Sequence, residues 1–299
     1  MPVLSFTPDK LPALLDFVEA GSTWGEQGRD LGRKIFEQIL GQPGLDLLSH
    51  CFLLEEGGAV LGYCLVHHEG AISRMVLEPK VASRFEGTPS EQELILRALS
   101  RAEEHGPGAV HVCVQIPSSA ASFLTEQGFA PVRSYDDMVW DREELPSIVI
   151  PEGFSLRSFQ PGDAPLLADV QNSAFAASWG FCPNTVEQIE YRSSMANTFH
   201  KGVCFLWHGE RAAGYCWTCL VPMNGSIRGM IGMIGVVPDY RGRGISSSIL
   251  VAGMESLRSW GVADIGLQVD SSNTPGVRLY TSIGFEKVGQ LNWLERRTA

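Results

Sequence analysis

Apolar and polar residues alternate over 110–116, where Val110, Val112, Val114 and Ile116 share one side. They alternate again over 265–269, where Ile265, Leu267 and Val269 do. A period of two marks a strand with one buried face. Before each lies a segment with apolar residues at helical spacing, SEQELILRALSRAEEHG in one case and ISSSILVAGMESLRSWG in the other. In the second, Ile249, Gly253, Leu257 and Trp260 form the stripe, and both segments end at a glycine. Further upstream are strand-like stretches, CFLLEEGGAVLGYCLVHH and GVCFLWHGERAAGYCWTCLV. Helical segments precede them, LPALLDFVEAG and APLLADVQNSAFAA, and a short helix with closing strands finishes each series. The order predicts an α/β fold with a mixed sheet.

The series occurs twice because the chain repeats itself. FTPDKLPALLDFV matches FQPGDAPLLADV, GGAVLGYCLV matches GERAAGYCWT, and FLTEQGFAPV matches LYTSIGFEKV. The pairs Pro12/Pro165, Gly62/Gly214 and Gly128/Gly284 keep the same order at a nearly constant offset of about 150 residues. The pattern predicts two domains, 1–145 and 151–299. They are joined by DREELPSIVIPEG (residues 141–153), polar first and then proline-bearing.

Composition narrows the function classes. The chain has 299 residues, 44% hydrophobic and 19% charged, with a net charge of −11. That excess argues against a general nucleic-acid binder, which must neutralise phosphates, and leaves room for a cationic small molecule. No apolar run reaches bilayer length, and MPVLSFTPDK lacks the basic-then-apolar pattern of a signal peptide, so a cytoplasmic protein off the membrane is expected. The seven cysteines show no framework spacing, which predicts reduced thiols. Cys216 and Cys219 form a C-x-x-C on a strand, where residues three apart face opposite ways. No metal is expected.

The stretch VVPDYRGRGISSSIL (236–250) follows an apolar strand and opens a helix. A glycine-rich turn there exposes backbone N–H groups at the positive end of the helix dipole, which suits a phosphate. The plain alternative is a basic surface turn. A second pattern follows the next strand, from Asn273 through Gly276, Leu279 and Tyr280 to Phe285. Together, Arg241-Gly242-Arg243-Gly244-Ile245-Ser246 and the Asn273–Phe285 series resemble the GNAT superfamily of N-acetyltransferases over residues 154–299. Tandem organisation with one intact half is similar to that of mycothiol synthase and its relatives, a likeness of architecture that carries no substrate with it.

The resemblance implies two tandem GNAT-like acyl-CoA N-acyltransferase domains, with acetyl-CoA held in the second. Two central strands would splay, Ile234, Gly235 and Val236 would offer backbone partners to the pantetheine and thioester, and amides of Gly242, Arg243, Gly244, Ile245, Ser246 and Ser247 would hold the pyrophosphate. Ser246 departs from the Gly or Ala usual there, and its side chain crowds the phosphate approach. Tyr280 would protonate the departing thiolate; otherwise its ring simply packs the short helix. Asn273 would contact the cofactor, cap the helix before Pro275, or do both. SIRGMIGMIGVV carries no carboxylate to act as base, and Asp239 and Glu190 are the remote alternatives. Phe175, Trp179, Phe181, Glu187 and Tyr191 would line the acceptor pocket and suit a cationic amine, although helical core packing explains the same spacing.

In the first half Leu124 and Pro117 stand at the positions of Tyr280 and Asn273, and VLEPKVASRFEGTPSEQELI lacks the glycine turn. That half reads as a degenerate, non-catalytic domain. The leading expectation is acetyl transfer to a primary amine of a small molecule. The alternatives are a non-catalytic acyl-CoA-binding regulatory protein and a protein-lysine acetyltransferase. A dinucleotide fold is excluded, since no G-x-G-x-x-G precedes an acidic residue.

Overall fold

The computed structural model describes residues 1–199 and 201–298. In the first half run β1 (Val3–Ser5), α1 (Leu11–Ala20), α2 (Gly25–Leu40), α3 (Leu47–His50), β2 (Cys51–Glu56) and β3 (Ala59–Glu69), then β4 (Arg74–Val81), α4 (Pro89–Glu103), β5 (Ala109–Val114), α5 (Ser119–Glu126) and β6 (Ala130–Trp140). The second half repeats the order: β7 (Phe154–Ser158), α6 (Ala164–Phe175), α7 (Val186–Ser193), β8 (Val203–His208), β9 (Arg211–Met223), β10 (Ser226–Val236), α8 (Ser246–Arg258), β11 (Ile265–Asp270), α9 (Thr274–Ile283) and β12 (Glu286–Arg297). The fold is mixed α/β, as the patterning predicts. The helix α2 is among the elements that the patterning does not announce.

The chain forms two compact units, and they depart from the expected halves 1–145 and 151–299 in two places. The first unit takes 1–22, 36–135 and 290–299; the second takes 23–35 and 136–289. The halves therefore exchange the ends of their last strands. Residues 292–297 of β12 pair antiparallel with β5 in the first unit, and 136–140 of β6 lie beside β11 in the second. Such pairings join residues far apart in sequence, so no local pattern announces them. The second departure is the stretch 23–35. Its Thr23 accepts hydrogen bonds from Asn224 N–H through Oγ1 (3.0 Å) and from Gly225 N–H through its carbonyl (2.7 Å). A Cβ on Gly28 would lie 2.5 Å from that of Pro222, so α2 can approach there only as glycine.

Each unit has one parallel pair among antiparallel neighbours. In the first, β1, β2, β3 and β4 are antiparallel in turn and β4 runs parallel to β5. In the second, β7, β8, β9 and β10 are antiparallel in turn and β10 runs parallel to β11. The long helices lie on one face: Leu94, Ile95 and Ala98 pack with Met75, Leu77 and Val112, and Ile249, Met254 and Leu257 pack with Ile231, Ile265 and Leu267. Burying each large aliphatic side chain contributes about 1.5–3 kcal/mol. The other face of the second sheet is covered by α6, with Leu167, Ala168 and Ala174 against Phe205, Tyr215 and Trp217. No helix of the described residues is long and apolar enough to cross a membrane.

Candidate active site

The parallel pair of the second unit is joined only briefly. Gly229, Met230 and Ile231 are in register with Ile265, Gly266 and Leu267, after which the strands part. The parting coincides with a bulge. On β9 Trp217 and Thr218 are adjacent, yet they face Met233 and Ile231 of β10, so Gly232 is the extra residue. A bulge bends its strand and re-aims the side chains beyond it. Before it Gly229 and Ile231 face α8; after it Met233 and Gly235 face α6, while Ile234 and Val236 face α8. Gly232 is exposed although its strand is central. The residues after it, including Ile234, Gly235 and Val236, keep β9 on one edge and leave the other free of β11.

β10 ends at the glycine turn. Gly242 and Gly244 have φ of +75° and +73°, and nothing lies within 4 Å of a Cβ added to either. Backbone conformation, not crowding, requires glycine at both. The helix α8 begins without any side-chain cap, and the first-turn hydroxyls point elsewhere. Ser247 Oγ donates to the Gly244 carbonyl (3.0 Å), and Ser248 Oγ donates to the Val149 carbonyl. Ser246, the departure from the usual small residue, is half-buried as the helix opens. Uncapped N–H groups behind two left-handed glycines fit a diphosphate.

The side chains of the two arginines of the turn contact protein groups. The Arg241 guanidinium donates to the carbonyls of Ala174 (2.7 Å) and Val236 (3.2 Å), clamping the C-terminal end of α6 to the end of β10. A cation is favourable there because the last helical carbonyls lack partners. Arg243 donates to the Asp239 carbonyl (3.0 Å), with its guanidinium 4.9 Å from the Tyr240 ring centroid. Both arginines brace the turn and leave its backbone N–H groups as the donors a diphosphate would meet.

Tyr280, on α9, is buried in the α8-side core, edge-on to Phe285 with centroids 6.0 Å apart. Burial first, and the neighbouring Cys216 thiol second, push its phenol above the usual tyrosine range. Cys216, which shares the α8-side core with Tyr280, stands opposite Ile234 in the β9–β10 register. Asn273 caps α9, its Oδ1 accepting from Gly276 N–H at 3.1 Å.

On the α6 side, Phe175 and Phe181 stack at 5.4 Å, and Phe175 meets the Tyr215 ring edge-on at 6.5 Å. A Cβ on Gly235 would lie 2.9 Å from both Ala174 Cβ and the Phe175 ring. Tyr215, whose hydroxyl donates to Met233 Sδ (3.8 Å), and Met233 itself are not singled out by sequence; both read as ordinary strand residues. Trp179 is half-buried. Glu187 lies exposed in the first turn of α7, beside the Thr185–Gln188 capping box, and Tyr191 lies in the last turns of that helix. Phe175 and Phe181, two of the five expected lining residues, are thus in ring contact. Asp239 and Glu190 are both exposed.

Among the described residues, no group of three or more His, Cys, Asp or Glu could hold a metal ion. All seven cysteines are free thiols.

Residues 165–285 match the Acetyltransferase (GNAT) family. A mycothiol acetyltransferase of Pseudarthrobacter chlorophenolicus is 32% identical over 56% of this chain, and the match spans 54% of that protein, about half its length. A second, from Thermomonospora curvata, is 29% identical over 80% of each chain. A tandem GNAT protein from the clavulanic acid biosynthesis pathway superposes with a TM-score of 0.72 at 16% identity, covering 99% of this chain and 97% of that one.

Proposed function

We propose that the chain is a tandem member of the GNAT N-acetyltransferase family, and on that premise that its second half transfers an acetyl group from acetyl-CoA to a primary amine of a small molecule. GNAT acetyltransferases use acetyl-CoA as co-substrate, and it supplies the activated acyl group. The observation that carries the reading is a coincidence in one unit. Strands that part at a bulge, an uncapped helix behind two left-handed glycines, and a protonated phenol lie along the same strand end.

Each residue takes its proposed role from that arrangement. Amides from Gly242 to Ser247 hold the pyrophosphate. The free edge of β10 beyond Gly232 pairs with the pantetheine. Tyr280, kept protonated by its burial, gives its proton to the departing thiolate. β10 carries no carboxylate, so the amine arrives neutral or loses its proton to water. The relatives named for mycothiol support a small molecule, rather than a protein lysine, as acceptor.

The test is thiol release from acetyl-CoA in the presence of a panel of small amines. Amine-dependent release, with the acetylated amine recovered in equal amount, is expected. Tight acetyl-CoA binding with no turnover across the panel would instead make the protein an acyl-CoA-binding regulator.

A further inference from the structure

Gln171 lies in the middle of α6, 1% exposed, and its Oε1 is buried with no hydrogen-bond partner among the described residues. A buried acceptor left unsatisfied gives up its bond to water for nothing in return. Native proteins satisfy nearly all such groups, so each exception asks for a reason.

Its place supplies one. Ala174 and Phe175 follow Gln171 by three and four residues, the spacing that shares a helix face. Those two residues are the ones that press on Gly235. The Arg241 clamp on the Ala174 carbonyl fixes the end of α6 at the end of β10. Gln171 stands one turn back, about 5.4 Å along the axis, on the face of α6 that Ala174 and Phe175 turn to β10. The groups that meet β10 at Gly235 are already committed: Tyr215 gives its hydroxyl proton to Met233, and Phe175 stacks on Phe181.

Resting on the acetyltransferase reading, we propose that Gln171 is an acceptor-binding residue whose Oε1 takes an N–H of the incoming amine. A carboxamide is no base at neutral pH, so it removes no proton. It orients the nitrogen. With one N–H held toward α6, the lone pair faces the thioester carbon. The C–N bond forms, the C–S bond breaks, and the thiolate takes the Tyr280 proton. The proton shed by nitrogen passes to water and restores the phenol.

The experiment compares wild type with Gln171→Leu and Gln171→Glu on an amine that wild type acetylates. Gln171→Leu keeps the volume and removes the orphan acceptor. Its melting temperature should hold or rise, and its acetyl-CoA affinity should match wild type. Its KM for the amine should rise at least tenfold, and the amine should no longer raise its melting temperature as it does that of wild type. Gln171→Glu keeps an acceptor and should restore amine binding while moving the acid limb of the pH profile. Wild-type KM in a folded Gln171→Leu overturns the proposal. So does a variant that loses stability and acetyl-CoA affinity together, which would mark Gln171 as core. Wild type that releases no thiol with any amine sinks the acetyltransferase reading itself and this proposal with it.

Discussion

Tyr280 shows how one residue serves packing and chemistry at once. Its ring fills the α8-side core against Phe285, while desolvation keeps the proton on its oxygen. A thiolate leaving group needs a proton donor at the moment it departs, and a phenol held neutral is ready throughout the physiological range. Tyr280→Phe keeps the ring and removes only the donor. Turnover is expected to fall by roughly a hundredfold or more, with acetyl-CoA affinity unchanged because the glycine turn is intact. The loss should lie in kcat. The raised pKa has a signed consequence as well. The folded chain holds this proton more tightly than the unfolded one, so the contribution is complete below the ordinary tyrosine value near 10 and fades as pH rises above it. Loss of activity with this proton should likewise begin above that value. Unchanged kcat in a folded Tyr280→Phe enzyme would leave the residue a packing group.

The strand–turn–helix from β10 to α8 is legible in sequence because its signals are local. Pro238, two glycines and the apolar stripe after them each report on their own backbone. What sequence could not show was where the arginine side chains go. Arg241 finds the Ala174 carbonyl only after α6 has docked, so its local sequence does not announce the clamp. The bulge at Gly232 has a signal in GMIGMIG, since glycine inside a strand often marks one, but a run with three glycines does not say which. The turn carries its own prediction. Valine at 244 meets open space but must adopt a φ of +73°, a conformation costing an L-residue about 1–2 kcal/mol. The open space is also where the diphosphate would approach. Gly244→Val should lower the unfolding free energy by that modest amount and weaken acetyl-CoA binding at least tenfold. Gly244→Ala, equally strained but smaller, should lose less affinity. Calorimetry and thermal unfolding on both variants separate the two effects, and equal affinity for wild type and valine variant would remove the turn from the site.

The whole molecule is a duplication in which the halves diverged at one level of the fold. Repetition is plain from sequence, because Pro12/Pro165 mark corresponding helix starts and Gly128/Gly284 corresponding helix ends; the exchange of strand ends and the placing of 23–35 in the second unit are not, because both depend on distant partners. The first unit keeps the parting strands, with register running only from Arg74/Ala109 to Leu77/Val112. It lacks the bulge: β4 pairs with β3 without a shift from Glu69/Arg74 to Gly62/Val81. Its anion seat is also filled from within. Glu91, 7% exposed in the first turn of α4, accepts the Gly87 N–H at 2.7 Å, where the second unit leaves its helix uncapped. Burial raises the pKa of that carboxyl, and the Gly87 bond opposes the shift. Pro89, at the first position of α4, has no N–H to offer. A diphosphate brought there would meet a carboxylate, fewer donors and an unbent strand, so three separate features oppose binding. Titration calorimetry should therefore give one acetyl-CoA per chain. Gly242→Val, which disables the turn in the second unit, should abolish binding rather than expose a weaker second site. A stoichiometry of two, or residual saturable binding in that variant, would return the first unit to the cofactor-binding class.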